Sequence, residues 1–194
     1  MADQHNPEHY LDTALSVLAE GPDGHRALDE LPVPIYTTDS EGGVTYWNRA
    51  CIEFAGRVPQ LGQDRWCVTW KIYTTTGDLL PHDKCPMAEA IRRQRIIRDK
   101  VAIAERPDGS RVAFRPYPTP LFNGDGSLRG AVNMLIDVSA EQSDALRVQA
   151  ARCRRLANAT YDRQTSQVLD DMADGFERIA NGLAAESSPK VRGA

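Results

Sequence analysis

The sequence predicts an α+β fold: a five-stranded antiparallel sheet with helices on one face, flanked by an N-terminal helix and a C-terminal helical hairpin. β-rich segments separated by turn residues occur between Leu31 and Ser139. Outside that region apolar residues recur at helical spacing, and from about Glu141 to Leu183 there is no strand signal. The 194 residues, 41% of them hydrophobic, suffice for one core but not for two large domains.

These patterns divide the chain into four parts. We assign residues 1–30 to an N-terminal helical cap, 31–139 to the α+β domain, 140–183 to the helical hairpin and 184–194 to a flexible tail. In the cap, Asn6 and Pro7 suit the start of a helix, and Gly21–Gly24 ends it. Its single stripe of Leu11, Ala14, Leu15 and Leu18 is marginal alone, so we expect this helix to dock on the domain.

Within the α+β domain, two strands precede the helices and three follow them. Asn48 is a good helix cap and Gly56 a good helix end, which predicts a helix over residues 49–55. Pro86 opens a second helix over 87–95. The segment from Gln60 to Pro86 has turn signals but no clear period. The predicted strands are Val33–Thr37, Val44–Trp47, Lys100–Glu105, Arg111–Tyr117 and Leu128–Val138.

The hairpin has two apolar stripes joined by a turn at Thr160–Asp162, with Asp162 as the cap of the second helix. The first stripe contains Leu146, Cys153 and Leu156, and the second contains Leu169, Met172, Phe176, Ile179 and Leu183. Antiparallel packing would also bring basic and acidic residues together, within one chain or across a dimer. They are Arg152, Arg154 and Arg155 on the first helix and Asp170, Asp171, Asp174 and Glu177 on the second.

Composition excludes several classes of protein. With 23 Lys and Arg against 27 Asp and Glu, the net charge of −4 disfavours nucleic acid as a partner. No apolar stretch approaches the roughly 20 residues of a membrane helix. The start of the chain lacks a basic, then apolar, leader, so we expect a cytoplasmic protein. The four cysteines include no CxxC pair, which disfavours a zinc knuckle or covalently attached haem and predicts reduced thiols.

Motifs between Leu31 and Ser139 resemble those of the PAS domain family, in the family's order. Leu31–Asp39 is similar to its first strand and closing acid, and Gly43–Ala50 to its "G-x-I-x-Y-x-N-x-A". Arg106–Ser110 resembles the hairpin with "DG", while Gly124–Gly130 and Met134–Ser139 resemble "D-x-x-G-x-x-x-G" and the terminal "D-I-T". The resemblance implies a sensory module that binds a small molecule or a protein partner.

Such a module would signal in trans, to a separate signalling protein, through its flanking helices. The resemblance also implies a homodimer formed by elements outside the sheet. The two stripes of the hairpin could instead satisfy each other within one chain. The helical segment is in addition similar to the tails of small bacterial proteins, a pattern that implies no activity.

The candidate ligand site lies in the unassigned segment, which the resemblance places over a cavity between sheet and helices. Aromatic and thioether side chains there suit an apolar or flat ligand, or they form the core itself. The predicted ligand-binding residues are Trp66, Trp70, Tyr73 and Met87.

The alternative function is a haem- or flavin-binding redox or gas sensor. His82 and Cys85, between Pro81 and Met87, are its candidate cofactor-binding residues, although the same segment suits a stiffened loop leading into a helix. The flavin box "N-C-R-F-L-Q" of the light-sensing LOV branch is absent, and Cys67 lies two positions later than the photoactive cysteine would. The identity of any cofactor therefore stays unknown, and we expect no metal.

Enzymatic activity is not expected. No nucleophile–base pair, glycine-rich nucleotide loop or carboxylate pair stands out in the sequence. None of the four histidines, His5, His9, His25 and His82, lies in the hairpin, where a histidine kinase would carry its phospho-accepting histidine.

Overall fold

The computed structural model describes residues 7–19 and 25–184. The predicted turn at Gly21–Gly24 and the tail beyond residue 184 lie outside the described residues. The chain separates into two compact units. The first comprises residues up to Gly109 together with Phe114–Asp137, and the second comprises Ser110–Ala113 and the residues from Val138 onward.

Seven strands form one sheet, in the order β2-β1-β7-β5-β4-β3, with β6 also paired to β7. The pairings of β1 with β2 and β7, of β3 with β4, and of β7 with β5 and β6 are antiparallel. The predicted antiparallel α+β architecture is confirmed. The strands are β1 (Ile35–Asp39), β2 (Val44–Trp47), β3 (Lys71–Tyr73), β4 (Ala102–Glu105), β5 (Arg111–Pro116), β6 (Thr119–Phe122) and β7 (Leu128–Asp137).

The sheet has seven strands where the sequence predicts five, and the two that were not predicted are β3 and β6. β3 has three residues, and only Ile72 among them is buried, so it shows no alternation that a sequence pattern would reveal. β6 contains Pro120, which lacks a backbone donor and argues against a strand. Pro120 is tolerated because β6 is an edge strand that pairs with β7 alone.

The helices of the first unit are α1 (Pro7–Ala19), α2 (His25–Asp29), α3 (Arg49–Ala55) and α4 (Pro86–Arg93), with a short 3-10 helix over His82–Lys84. The predicted signals for α3 are confirmed. Asn48 accepts a hydrogen bond from the backbone N–H of Cys51, and Gly56 ends the helix with φ of 63°.

The two faces of the sheet have different cover. Leu11, Ala14 and Leu18 of α1 pack with Ile35 of β1 and Met134 of β7. Side chains alternate between the two faces along a strand. Tyr36 and Asn133, the neighbours of Ile35 and Met134 in the sequence, therefore point to the opposite face. The predicted docking of the flanking N-terminal helix on the domain is confirmed, and α1 covers an apolar face of the sheet.

Asn48 joins three elements of the first unit and is fully buried. Its Oδ1 accepts the backbone N–H of Ile35 at 3.0 Å, and its Nδ2 donates to the carbonyls of Leu28 at 3.0 Å and Val33 at 2.8 Å. This one side chain thus fixes α2, the start of β1 and the start of α3.

The second unit contains the hairpin of α5 (Ser139–Ala159) and α6 (Arg163–Ala184). Ala150 and Cys153 of α5 pack against Ala173, with Phe176 partly buried beside them. Asp162 accepts the backbone N–H of Thr165 at 2.8 Å, as predicted for its cap. None of the described helices is long and apolar enough to cross a membrane.

Candidate ligand-binding site

A buried polar network lies on the inner face of the sheet, opposite α1. The Tyr36 hydroxyl donates to the carbonyl of Trp66 at 3.0 Å and accepts from Nδ2 of Asn133 at 2.9 Å. Oδ1 of Asn133 in turn accepts the backbone N–H of Tyr117 at 2.9 Å. Tyr36 and Asn133 are neighbours in the register of β1 and β7, so the sheet itself aligns the network.

Thr38 lies two residues beyond Tyr36 on β1, and therefore on the same face of the sheet. It is only 4% exposed, yet its Oγ1 atom has no hydrogen-bond partner within the described residues. A buried hydroxyl without a partner costs about 1–3 kcal/mol, and each such group in a native protein needs an explanation.

Two buried thiols, Cys85 and Cys67, lie near this network, and a third, Cys51, lies at the start of α3. Cys85 Sγ donates to the carbonyl of Trp66 at 3.8 Å, the same oxygen that Tyr36 contacts. Cys67 Sγ lies 3.1 Å from Oγ1 of Thr69, and Cys51 Sγ donates to the Ile35 carbonyl.

Tyr36, Cys51 and Cys85 are neutral at pH 7 because burial raises the pKa of each. Burial raises the pKa of the Cys85 thiol to about 12, with the nearby Cys67 adding to the rise. Burial likewise raises the pKa of Tyr36 well above its usual value, and that of Cys51. These groups offer hydrogen bonds and no charge.

The four predicted ligand-binding residues differ in their exposure and in the elements that carry them. Trp66 has a left-handed backbone with φ of 69°, and its ring lies against Gly42. Its contact with the network is the hydrogen bond that its carbonyl accepts from Tyr36. Trp70 is 52% exposed, so it forms no part of the core. Tyr73 is half-buried on β3, and Met87 is buried in the first turn of α4. Their contact with a ligand stays a prediction.

The two predicted cofactor residues have different surroundings. Burial lowers the pKa of the half-buried His82, and the nearby carboxylate of Asp64 opposes this shift. Asp64 forms an ion pair with Arg57, in which Nη2 of Arg57 lies 2.7 Å from Oδ2 of Asp64. Cys85 is instead part of the Tyr36 network. Among the described residues, no group of three or more His, Cys, Asp or Glu is placed to hold a metal.

Tyr36, Thr38 and Asn133 were not among the predicted site residues. A sequence signal existed for Asn133, a polar residue between the apolar and buried Val132 and Met134. The strand β1 offers no such contrast, because Thr37 and Asp39 beside Tyr36 and Thr38 are polar as well. A polar residue retained at a buried strand position needs a partner, which makes it a candidate for a site.

Neither a protein-family model nor a curated protein matches the chain. Among solved structures it is similar to an RNA-binding light-oxygen-voltage receptor, with 18% identity over 93% of this chain and a TM-score of 0.47. It spans only 40% of that receptor's length. A PAS domain from Colwellia psychrerythraea matches 58% of this chain and 92% of its own, with 17% identity and a TM-score of 0.44.

A third similar structure is the Rhodobacter sphaeroides LOV protein. It has 12% identity, covers 93% of this chain and 99% of its own, and has a TM-score of 0.44. These similar structures are described as PAS or LOV proteins.

We expect the purified protein to be colourless. The flavin box is absent from the sequence, and the two candidate ligands have different surroundings, with the Cys85 thiol bonded to the Trp66 carbonyl and His82 near the Arg57–Asp64 pair. An absorption spectrum of freshly purified protein checks this. A Soret band or a stoichiometric flavin spectrum would contradict it, and His82→Ala and Cys85→Ala would then identify the residue that holds the group.

Proposed function

We propose that this protein is a sensory module whose first unit binds an uncharged small molecule at the inner face of its sheet. The observation that carries the proposal is the buried, unpartnered hydroxyl of Thr38 beside the Tyr36–Asn133 network. A ligand with a hydrogen-bonding group would satisfy this hydroxyl. The thiols of Cys67 and Cys85 near Tyr36 would contact the rest of the ligand.

Electrostatics support an uncharged ligand. The thiols of Cys51 and Cys85 and the phenol of Tyr36 are neutral, so they offer no counter-charge to an ion. The net charge of −4 supports a small molecule over a nucleic acid. We further propose that the module has no enzymatic turnover, and that ligand binding is reported to another protein through the flanking helices.

Mass spectrometry of the denatured, freshly purified protein tests the ligand proposal. We expect one uncharged organic molecule to be released in near-stoichiometric amount. Release of an anionic or cationic molecule would contradict the proposed class of ligand, and a protein free of any small molecule would contradict binding itself.

Thr38→Val tests the role of the hydroxyl without a ligand. Valine has nearly the same shape but no polar atom, so the unliganded variant should be more stable than the wild type by about 1 kcal/mol. Chemical denaturation of ligand-free protein measures this. A loss of stability would mean that the hydroxyl is already satisfied. Thr76→Val, which alters an exposed hydroxyl bonded to Asp78, is the control and should not stabilise the protein.

A further inference from the structure

We infer that Trp66 is a conformational switch held in a strained backbone by the Tyr36 hydroxyl, and that a ligand which takes this hydroxyl releases the Trp66 ring from the turn between β1 and β2. This inference rests on the proposed function and names the structural change by which the first unit would respond to its ligand. Trp66, Tyr36 and the turn all belong to that unit.

The backbone of Trp66 lies in the left-handed region, with φ of 69°. Among the described residues other than glycine, only Gln94 and Asp99 share this region. Gln94 ends α4, where a left-handed residue is common, and Asp99 has a short polar side chain that tolerates this conformation. Neither reason applies to tryptophan, whose bulky side chain makes a positive φ unfavourable. The contacts around Trp66 must therefore compensate for the strain.

Hydrogen bonds on both sides of Trp66 provide this compensation. Its backbone N–H donates to the carbonyl of Gly42 at 2.7 Å. Its carbonyl accepts from the Tyr36 hydroxyl at 3.0 Å and from the Cys85 thiol at 3.8 Å. A thiol is a weak donor, so the Tyr36 hydroxyl is the main partner of this carbonyl.

The ring of Trp66 covers the turn between β1 and β2. Gly42 in this turn is buried, and a Cβ atom there would lie 2.2 Å from Cε3 and Cζ3 of the ring. The guanidinium of Arg65 lies 5.5 Å from the ring centroid, within the range of a cation–π interaction, and also donates to the carbonyl of Glu41. Movement of the ring would therefore expose Gly42 and change the surface of the turn.

Tyr36 connects the strained residue with the candidate site. Its hydroxyl accepts from Asn133, and Tyr36 lies two residues from Thr38 on the same face of β1. A hydroxyl has one proton to donate, so donation to a ligand removes the main partner of the Trp66 carbonyl. The strain of one left-handed residue and the contribution of one hydrogen bond are similar in size. Without that bond, Trp66 should relax to a negative φ and its ring should leave Gly42.

Fluorescence of Trp66 tests the restraint by Tyr36. Trp47→Phe and Trp70→Phe together leave Trp66 as the only tryptophan. In ligand-free protein of this background, Tyr36→Phe should shift the emission to longer wavelength and increase quenching by acrylamide several-fold, because the ring leaves its half-buried position. Unchanged emission and quenching in a folded Tyr36→Phe variant would overturn the inference.

Tyr46→Phe is the matched control in the same background. It also removes a tyrosine hydroxyl of the first unit, one that donates to Asp29 at 3.1 Å and has no bond to Trp66. We expect its emission and quenching to equal those of the parent protein. An equal change in both tyrosine variants would show that the effect is a general loosening of the unit, which contradicts a specific restraint by Tyr36.

Trp66→Gly and Trp66→Ala test the strain without fluorescence. Both remove the ring, but alanine retains the unfavourable left-handed backbone, whereas glycine adopts it freely. We therefore expect the higher melting temperature for Trp66→Gly, the reverse of the usual order of these two residues. A melting temperature of Trp66→Gly equal to or below that of Trp66→Ala would mean that Trp66 is not strained.

The response to ligand is tested with the protein that retains Trp66 alone. The freshly purified protein is compared with the same protein refolded free of small molecules, and we expect stronger quenching in the fresh sample, in proportion to the bound molecule that mass spectrometry detects. Equal quenching in spite of a bound molecule would contradict the release of the ring. Absence of any bound molecule would instead contradict the proposed function, while the comparison of Tyr36→Phe with Tyr46→Phe would still decide the role of Trp66.

Discussion

Asn48→Ala is expected to lower the free energy of unfolding by about 4 kcal/mol. The change leaves the backbone N–H of Ile35 and the carbonyls of Leu28 and Val33 without the partner that now satisfies them in a buried environment. It also removes the cap of α3. Because three elements meet at this side chain, the loss should appear in equilibrium denaturation of the whole first unit.

Asn123→Ala is the matched control for this prediction. Asn123 is exposed in the turn before β7 and bonds only the nearby Ser127 among side chains, so its replacement should change the free energy of unfolding by less than about 1 kcal/mol. If the two variants lost the same stability, the assignment of Asn48 as the joint of α2, β1 and α3 would be wrong.

Gly130→Ala should destabilise the protein by about 3 kcal/mol or more. A Cβ atom at Gly130 would lie 1.9 Å from the carbonyl oxygen of Thr38 on the neighbouring strand. That oxygen is backbone in the middle of the sheet, so the clash is relieved only by separating β1 from β7. The same movement would displace Thr38 and Tyr36, so we also expect the variant to bind the proposed ligand weakly.

Gly124→Ala serves as its control, because a Cβ there meets no atom within 4 Å. Thermal unfolding followed by circular dichroism compares the two variants. Equal melting temperatures for Gly130→Ala and the wild type would show that β1 and β7 are not packed as closely as described.

The sequence allowed the order of the main elements to be predicted because their signals are local. The bond of the Cys51 N–H to Asn48, the left-handed Gly56 and the cap at Asp162 involve only neighbouring residues. Asp39 likewise accepts the backbone N–H groups of Glu41 and Gly43 in the turn it closes. Such contacts require only the nearby chain, which is why α3, the turn after β1 and the start of α6 were predicted correctly.

The candidate site was harder to predict because its contacts are distant in sequence. Tyr36 and Asn133 are 97 residues apart, and only the pairing of β1 with β7 brings them together. Of the predicted aromatic residues, Trp70 is exposed, and the contact of Trp66, Trp70 and Tyr73 with a ligand stays a prediction. A count of aromatic residues gives no information on the direction of each ring.

In the hairpin, the charge pairs could be predicted from the sequence, whereas the covered side of the apolar stripe could not. Opposite charges were predicted to meet within one chain or across a dimer, and Arg154 makes its pairs within the chain. The second apolar stripe was treated as one surface, but Phe176 packs into the hairpin while Met172 remains exposed. Helical spacing predicts a stripe, whereas the side of the stripe that the neighbouring helix covers depends on the packing of the pair.

The central claim is that the Thr38 hydroxyl is part of a site for an uncharged ligand. The most direct test measures, by mass spectrometry after denaturation, the amount of small molecule that co-purifies with the wild type and with Thr38→Val. We predict near-stoichiometric ligand in the wild type and at least a several-fold loss in the variant, although the variant is the more stable protein when unliganded. Equal ligand content in the two proteins, or no ligand in the wild type, would contradict the account.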